Sequence, residues 1–233
     1  MGFIAVSIYV ARNLEDIEPQ KSVQANKLIG HFREMFASGE NLGRFAVVQA
    51  LGSVTFGMSM PFSFLFAADI KGADSLTIGY MGTCFVLVSM LLAIPIGNLA
   101  DARGRKFIIY ITRPFFYASN LLLVLAPLGS PWVLLLAWGC RGVMMSAQAF
   151  NTMSMEMVPP EYRGRWTGFV SLLQNLLRVP AILLGGYIYE NLDPALVFTI
   201  PLVVDLLIRM PILSTIPDTL KRRQPHPEPS VPE

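Results

Sequence analysis

Six long apolar runs, each cut off by polar or turn-forming residues, organise the chain: Phe45 to Ala68, Leu76 to Ala100, Phe107 to Leu128, Pro131 to Val158, Trp166 to Tyr189 and Ala195 to Pro217. The first holds 24 residues without a charge and the second 25. At about 1.5 Å per residue, a helix of about 20 residues crosses the roughly 30 Å hydrocarbon core of a bilayer, so each run is long enough to span it. The breaks carry turn chemistry: Lys71-Gly72-Ala73-Asp74, Gly129-Ser130-Pro131, Pro159-Pro160 and Asn191-Leu192-Asp193-Pro194. The runs lack the period-2 alternation of barrel strands and are about twice as long. The pattern predicts an all-α polytopic membrane protein, with six transmembrane helices bundled within residues 44–217.

The flanks differ. Met1 to Ala11 is apolar but too short to span, and it lacks the basic start and small-residue cleavage site of a signal peptide, so it reads as the end of a preceding helix. Within Ala25 to Phe36, Leu28, Ile29, Phe32, Met35 and Phe36 recur at helical spacing between charges. That is an amphipathic cytoplasmic helix suited to a lipid surface, a partner or a solvated linker. Residues 1–43 therefore form a linker, and 218–233, with four prolines from Gln224 onward, a disordered tail.

Composition agrees: 53% of residues are hydrophobic and 15% charged, against about 25% charged in soluble domains. A net charge of +2 without a basic, aromatic-interleaved face excludes nucleic acid as a partner. Cys84 and Cys140 stand alone in separate runs, so no metal site or disulfide framework is indicated, and no cofactor is expected. Thirteen of the 18 Lys and Arg residues cluster on one side, around Arg12 to Arg44, Arg103 to Lys106, Arg163 to Arg165 and Lys221 to Arg223; only Lys71 falls on the other. The positive-inside rule then places both termini in the cytoplasm, for a protein expected in the cell membrane.

That rule explains Arg103, Arg105 and Lys106 in the loop Gly97-Asn98-Leu99-Ala100-Asp101-Ala102-Arg103-Gly104-Arg105-Lys106, but not Gly97, Asp101 and Gly104. Gly97 permits close approach of a neighbouring helix, and Gly104 the positive-φ backbone of a very short turn. Asp101 has a use if it accepts hydrogen bonds from arginine or a helix N-terminus in one conformational state and releases them in another. The loop closely resembles the G-x-L-A-D-r-x-G-R-k signature of the major facilitator superfamily, a large family of secondary transporters. Glu156-Met157-Val158-Pro159-Pro160-Glu161-Tyr162-Arg163-Gly164 resembles its E-x-x-P-x-x-x-R-G loop, and Gly185-Gly186 its late glycine pair. The resemblance implies gating roles for Gly97, Asp101, Gly104, Arg105, Glu156, Arg163 and Gly164. It further implies a fold of two six-helix halves. This chain has room for one, and its polar lead-in resembles the central loop that precedes the C-terminal half. Such a chain is a truncated product or one protomer of a two-chain transporter, pairing with a second half or with itself and binding a small-molecule substrate.

Four arginines lie within runs. Arg113 is about 10 Å from the end of its helix, near enough to snorkel. Arg141 and Arg178 are about 14 and 18 Å deep, near the midplane, where a charge costs about 2.5 to 3.5 kcal/mol. Ser171, Gln174, Asn175 and Arg178 form one stripe, while Arg141 shares a face with Gln148, with Asn151 a turn beyond. Arg141, Gln148, Asn151, Gln174, Asn175 and Arg178 are therefore the candidate substrate-binding residues, the alternative for the arginines being burial against backbone carbonyls. Two charges and no acid at matching depth in the fourth or fifth run point to an organic anion, with neutral and cationic solutes left open because a second half contributes the other cavity wall. Asp205 and Arg209 are four apart, the spacing of a structural ion pair, with an ion pathway as the other reading. Met145 stands where the family's R-x-x-x-G pattern needs glycine, and Pro180 is too far from Gly185-Gly186 for the antiporter G-P-x-x-G-G, so neither associated role carries over.

Three functions compete: a half-unit of a secondary transporter, an intramembrane enzyme, and a non-transporting remnant or assembly subunit. The only histidines, His31 and His226, lie outside the runs, which opposes a histidine-assisted hydrolase or a zinc site, and no enzyme is expected.

Overall fold

The computed structural model describes residue 36 and residues 41–218. The amphipathic segment before Phe36 and the proline-rich tail lie outside the described residues. Among those described there are no strands, and six helical stretches are long and apolar enough to cross a bilayer: Leu42–Asp69, Ser75–Arg103, Arg105–Leu125, Pro131–Glu156, Pro160–Asn191 and Leu196–Ser214. They coincide with the six runs to within a few residues. In the order given they are the first to sixth spans.

Local chemistry sets where each begins and ends. Asp74 caps the second span, its extended backbone letting the carboxylate accept the Thr77 N–H at 2.9 Å. Hydrogen bonding by Thr77 holds that carboxyl below the usual carboxylate range. The second and third spans are joined through Gly104 alone, at φ +100°, a conformation that any side chain would strain.

Three spans are irregular where the sequence predicts continuous helix. The first breaks at Met60–Pro61, between helices Leu42–Ser59 and Phe62–Asp69. Proline supplies no N–H to the preceding turn, which removes one hydrogen bond there. The fourth breaks at Ala147–Gln148, where Gln148 takes φ +40°, a costly conformation for a side chain branching at Cβ or not. Its carbonyl accepts the Asn151 and Thr152 N–H groups and its side-chain oxygen the Asn151 amide, so the freed groups are satisfied locally. The sixth contains a wide turn at Asp205–Arg209, closed by the Met210 N–H on the Asp205 carbonyl.

The ends of the bundle are tied by lysines. At one end Lys71 donates to the Val124 and Ala126 carbonyls at 2.6 and 2.8 Å, capping the third span with positive charge. At the other, Lys106 donates to the Ser214 and Ile216 carbonyls at 2.8 and 2.6 Å and caps the sixth. Near the Lys71 end a core of Phe66, Met81, Leu123, Leu134, Trp138 and Phe198 is fixed by aromatic contacts, Phe64 stacking on Trp138 at 4.2 Å. The second span, by contrast, buries only Met81 and Ala100; Leu91 and Ile94 point outward, which an apolar solvent tolerates.

Glycine lets the second and fourth spans touch: a Cβ on Gly142 would meet the Phe85 carbonyl at 2.8 Å and Val88 Cβ at 3.1 Å. Gly142→Ala is expected to destabilise the bundle by about 1–3 kcal/mol through overpacking. Gly79→Ala, which meets open space on the second span, is expected to be neutral or stabilising. Thermal unfolding of the two variants in detergent checks the difference.

A cavity lined by guanidinium groups

The broken fourth span and the polar positions of its neighbours line a half-open cavity of about 240 Å³. Gln49, Ser53 and Thr55 of the first span and Thr112 of the third line it, all buried. The fourth contributes Met144, Met145 and the residues around its break, including Gln148 and Asn151; the fifth contributes Gln174 and Arg178. Strain at Gln148 thus sits on the cavity wall, as expected where an irregular helix borders a polar space.

Two further arginines border the cavity. Arg209 donates from Nη1 to Asp205 Oδ1 at 3.0 Å and from Nε to the Val48 carbonyl at 2.8 Å. Arg113 Nη1 stands 3.5 Å from the same carboxylate oxygen, and the Tyr117 hydroxyl donates to Oδ2 at 2.9 Å. Both guanidiniums also lie against the Phe150 ring, at 4.7 Å for Arg113 and 4.3 Å for Arg209. Gly52 makes the space: a Cβ there would fall 2.6 Å from Arg209 Cζ. The pairing of Asp205 with Arg209 is therefore as the spacing predicts, and the carboxylate serves a second cation as well. Arg113 does not snorkel. It is 7% exposed because it shares the inward face of its helix with Ile109, Thr112 and Phe116, and that face, not its depth, decides its direction.

Of the residues singled out in the sequence, the structure gathers Gln148, Asn151, Gln174 and Arg178 at this cavity. Arg178 lies over the Phe56 ring at 5.7 Å, with Nε buried and without a hydrogen-bond partner. Asn175 is not among the lining residues; it is exposed, one residue round the helix from Gln174. Arg141 is not among them either. It is 2% exposed and donates to Ser63 Oγ at 2.8 Å and Asn120 Oδ1 at 3.4 Å. The heptad spacing that put Arg141 on a face with Gln148 holds only in continuous helix, and the break at Ala147–Gln148 turns the two apart. Gln49, Ser53, Thr55 and Thr112 escaped the sequence reading, which takes Arg113 as a snorkelling residue and Arg209 as the partner of Asp205 and places neither among the substrate-binding candidates. For Gln49 and Ser53 a signal was present: two polar groups one helical turn apart in an apolar run.

The loop motifs lie at the Lys106 end. Arg105 Nη2 is 2.7 Å from Asp101 Oδ1 and 3.4 Å from Glu156 Oε1, joining the second, third and fourth spans. Arg163 Nε donates to the Met155 and Val158 carbonyls at 3.1 and 3.4 Å and holds the turn into the fifth span. Gly97 and Gly164 would each carry a Cβ into open space, so the close helix approach expected at Gly97 is not made among the described residues.

The sequence pattern of the Major Facilitator Superfamily matches residues 45–231. MFS transporter L2 of Phoma sp. (strain ATCC 20986 / MF5453) is 25% identical over 158 residues, covering 67% of this chain. The match spans a quarter (25%) of that protein's length. Since the family pattern runs through all six spans, and the loop signature stands at the helix junction where its hydrogen bonds can form, this integral membrane protein belongs to the Major Facilitator Superfamily.

Proposed function

We propose that the chain is a C-terminal six-helix half of a secondary transporter, and that it moves a small organic anion by alternating access together with a second half or another copy of itself. One observation carries the substrate class: the cavity is bordered by three guanidiniums, Arg113, Arg178 and Arg209, against one buried carboxylate, Asp205. Asp205 offsets one charge of the Arg113–Arg209 pair, and Arg178 has no carboxylate within ion-pair distance among the described residues. In a medium of low dielectric the surplus favours an anionic solute. Gln49, Gln148 and Gln174 supply neutral hydrogen bonds to orient it. The cell membrane is the proposed location. The termini and the Asp101 and Arg163 loops lie on its cytoplasmic side, in keeping with the positive-inside rule.

Asp101, Arg105 and Glu156 form the proposed cytoplasmic gate, with Arg163, Gly104 and Gly164 shaping its loops. The Asp101 side chain is 60% exposed, so its pair with Arg105 contributes only about 0–1 kcal/mol, a contact weak enough to break in each cycle. The test uses the assembled full chain in proteoliposomes, with labelled benzoate as anion, glucose as neutral solute and tetraethylammonium as cation. Benzoate uptake well above the other two supports the reading, and preferential tetraethylammonium uptake overturns it. Asp101→Asn is expected to leave equilibrium benzoate binding unchanged and to slow uptake several-fold; unaltered uptake would remove the gate.

A further inference from the structure

Among the described residues Arg141 meets no opposite charge. Its contacts are the Ser63 hydroxyl at 2.8 Å, the Asn120 carbonyl oxygen at 3.4 Å and the Trp138 ring at 5.5 Å from Cζ, and Nε has no partner. No carboxylate of the described residues makes an ion pair with it. At 2% exposure it is covered by its own bundle, so a second half seated on the cavity meets Arg178 and not Arg141. A buried cation without a counter-charge is costly, and here only something small enough to enter the bundle can supply one.

Buried polar groups lead from the cavity towards Arg141. On the first span the Ser59 hydroxyl donates to the Thr55 carbonyl at 3.0 Å and the Ser63 hydroxyl to the Ser59 carbonyl at 2.8 Å, so the three lie in succession; Thr55 borders the cavity and Ser63 touches Arg141. On the third span Phe116 borders the cavity and Asn120, one turn further, touches Arg141. Ser63 gives its proton to the Ser59 carbonyl and Asn120 its amide to the Phe116 carbonyl, so each turns an acceptor oxygen to the guanidinium. Pro61, which brings no N–H, stands between Ser59 and Ser63 and leaves the helix there one backbone hydrogen bond short.

We infer that Arg141 is a second anion contact on the solute path, one helical turn beyond the cavity, resting on Ser63 and Asn120 until a carboxylate group of the solute takes their place. The inference rests on the anionic reading of the cavity but is tested at a separate reporter. Trp138 lies beside Arg141 and is 2% exposed, so a neutral quencher reaches it poorly. Iodide, as a probe anion, is added to the full chain in detergent at constant ionic strength, and the Trp138 signal is isolated as the part lost in Trp138→Phe. Quenching by iodide is expected to saturate, to be relieved by acetate, to persist in Arg141→Lys and to disappear in Arg141→Gln, while acrylamide quenches weakly throughout. Ser63→Ala, which keeps the charge and removes a competing acceptor, should lower half-saturating iodide about fivefold, the equivalent of about 1 kcal/mol for one hydrogen bond. Unsaturable quenching that is equal in parent and Arg141→Gln overturns the inference, as does relief by chloride but not acetate. If Arg141→Gln does not fold, an unchanged half-saturation in Ser63→Ala overturns it. Because Trp138 reports only on Arg141, it can fail while the cavity still binds benzoate, and the reverse.

Discussion

Asp205→Asn is expected to destabilise the bundle by about 3–5 kcal/mol, because it strips two buried guanidiniums of their shared counter-charge while leaving both in place. The carboxylate is wholly buried and takes hydrogen bonds from Arg209 and Tyr117, with Arg113 at 3.5 Å. Removing the pair as a unit has a different consequence. A double variant, Asp205→Leu with Arg209→Met, should regain only part of the loss, since Arg113 is still left unpaired. Adding Arg113→Leu should regain most of it, as buried ion pairs are commonly replaceable by apolar groups of similar volume. Denaturation in detergent, followed by helical circular dichroism, measures all three. An Asp205→Asn variant as stable as the parent would mean that the two arginines draw their compensation from elsewhere.

Arg178→Gln is expected to weaken equilibrium binding of benzoate about 10- to 100-fold, the loss of one charge-assisted hydrogen bond at about 1.5–3 kcal/mol. Arg178→Lys should lose less, since the charge stays and only the planar donor geometry goes. Asn175→Ala serves as the comparison: it lies outside the cavity lining and should bind as the parent does. Isothermal titration of the assembled full chain separates the three. Equal affinity in parent and Arg178→Gln would take this side chain out of the solute site.

The helices were readable because membrane spans leave a coarse signal: length, absence of charge and turn residues locate all six within a few residues. The site was less so, for two physical reasons. Helical spacing assigns faces only while the helix is continuous. Nothing in the run from Pro131 announces that Gln148, a residue without glycine's freedom, takes φ +40°, so spacing alone puts Arg141 on a face it does not share. Depth, likewise, says where a charge sits along the membrane normal but not which way it points. Arg113 is shallow enough to snorkel, yet it turns inward because Asp205, 92 positions later in the chain, waits there. Asp205–Arg209, four apart on one helix, needed no tertiary information and was legible from spacing alone. The Asp101–Arg105 contact is also local, whereas the approach of Glu156 to Arg105 brings together two loop motifs that the sequence presents separately.

The surplus of guanidinium over carboxylate is the basis for an anionic solute, and reversing it is the most direct challenge. Arg178→Glu changes the charge at the cavity wall by two units without touching Asp205 or its partners. Uptake of benzoate and tetraethylammonium by proteoliposomes carrying the assembled full chain is compared between parent and variant. If the cavity selects by charge, the parent takes up benzoate in preference, and Arg178→Glu loses benzoate uptake and gains tetraethylammonium relative to it. A parent that prefers tetraethylammonium, or a folded Arg178→Glu variant with the parent's benzoate uptake, would contradict an anion path through this cavity.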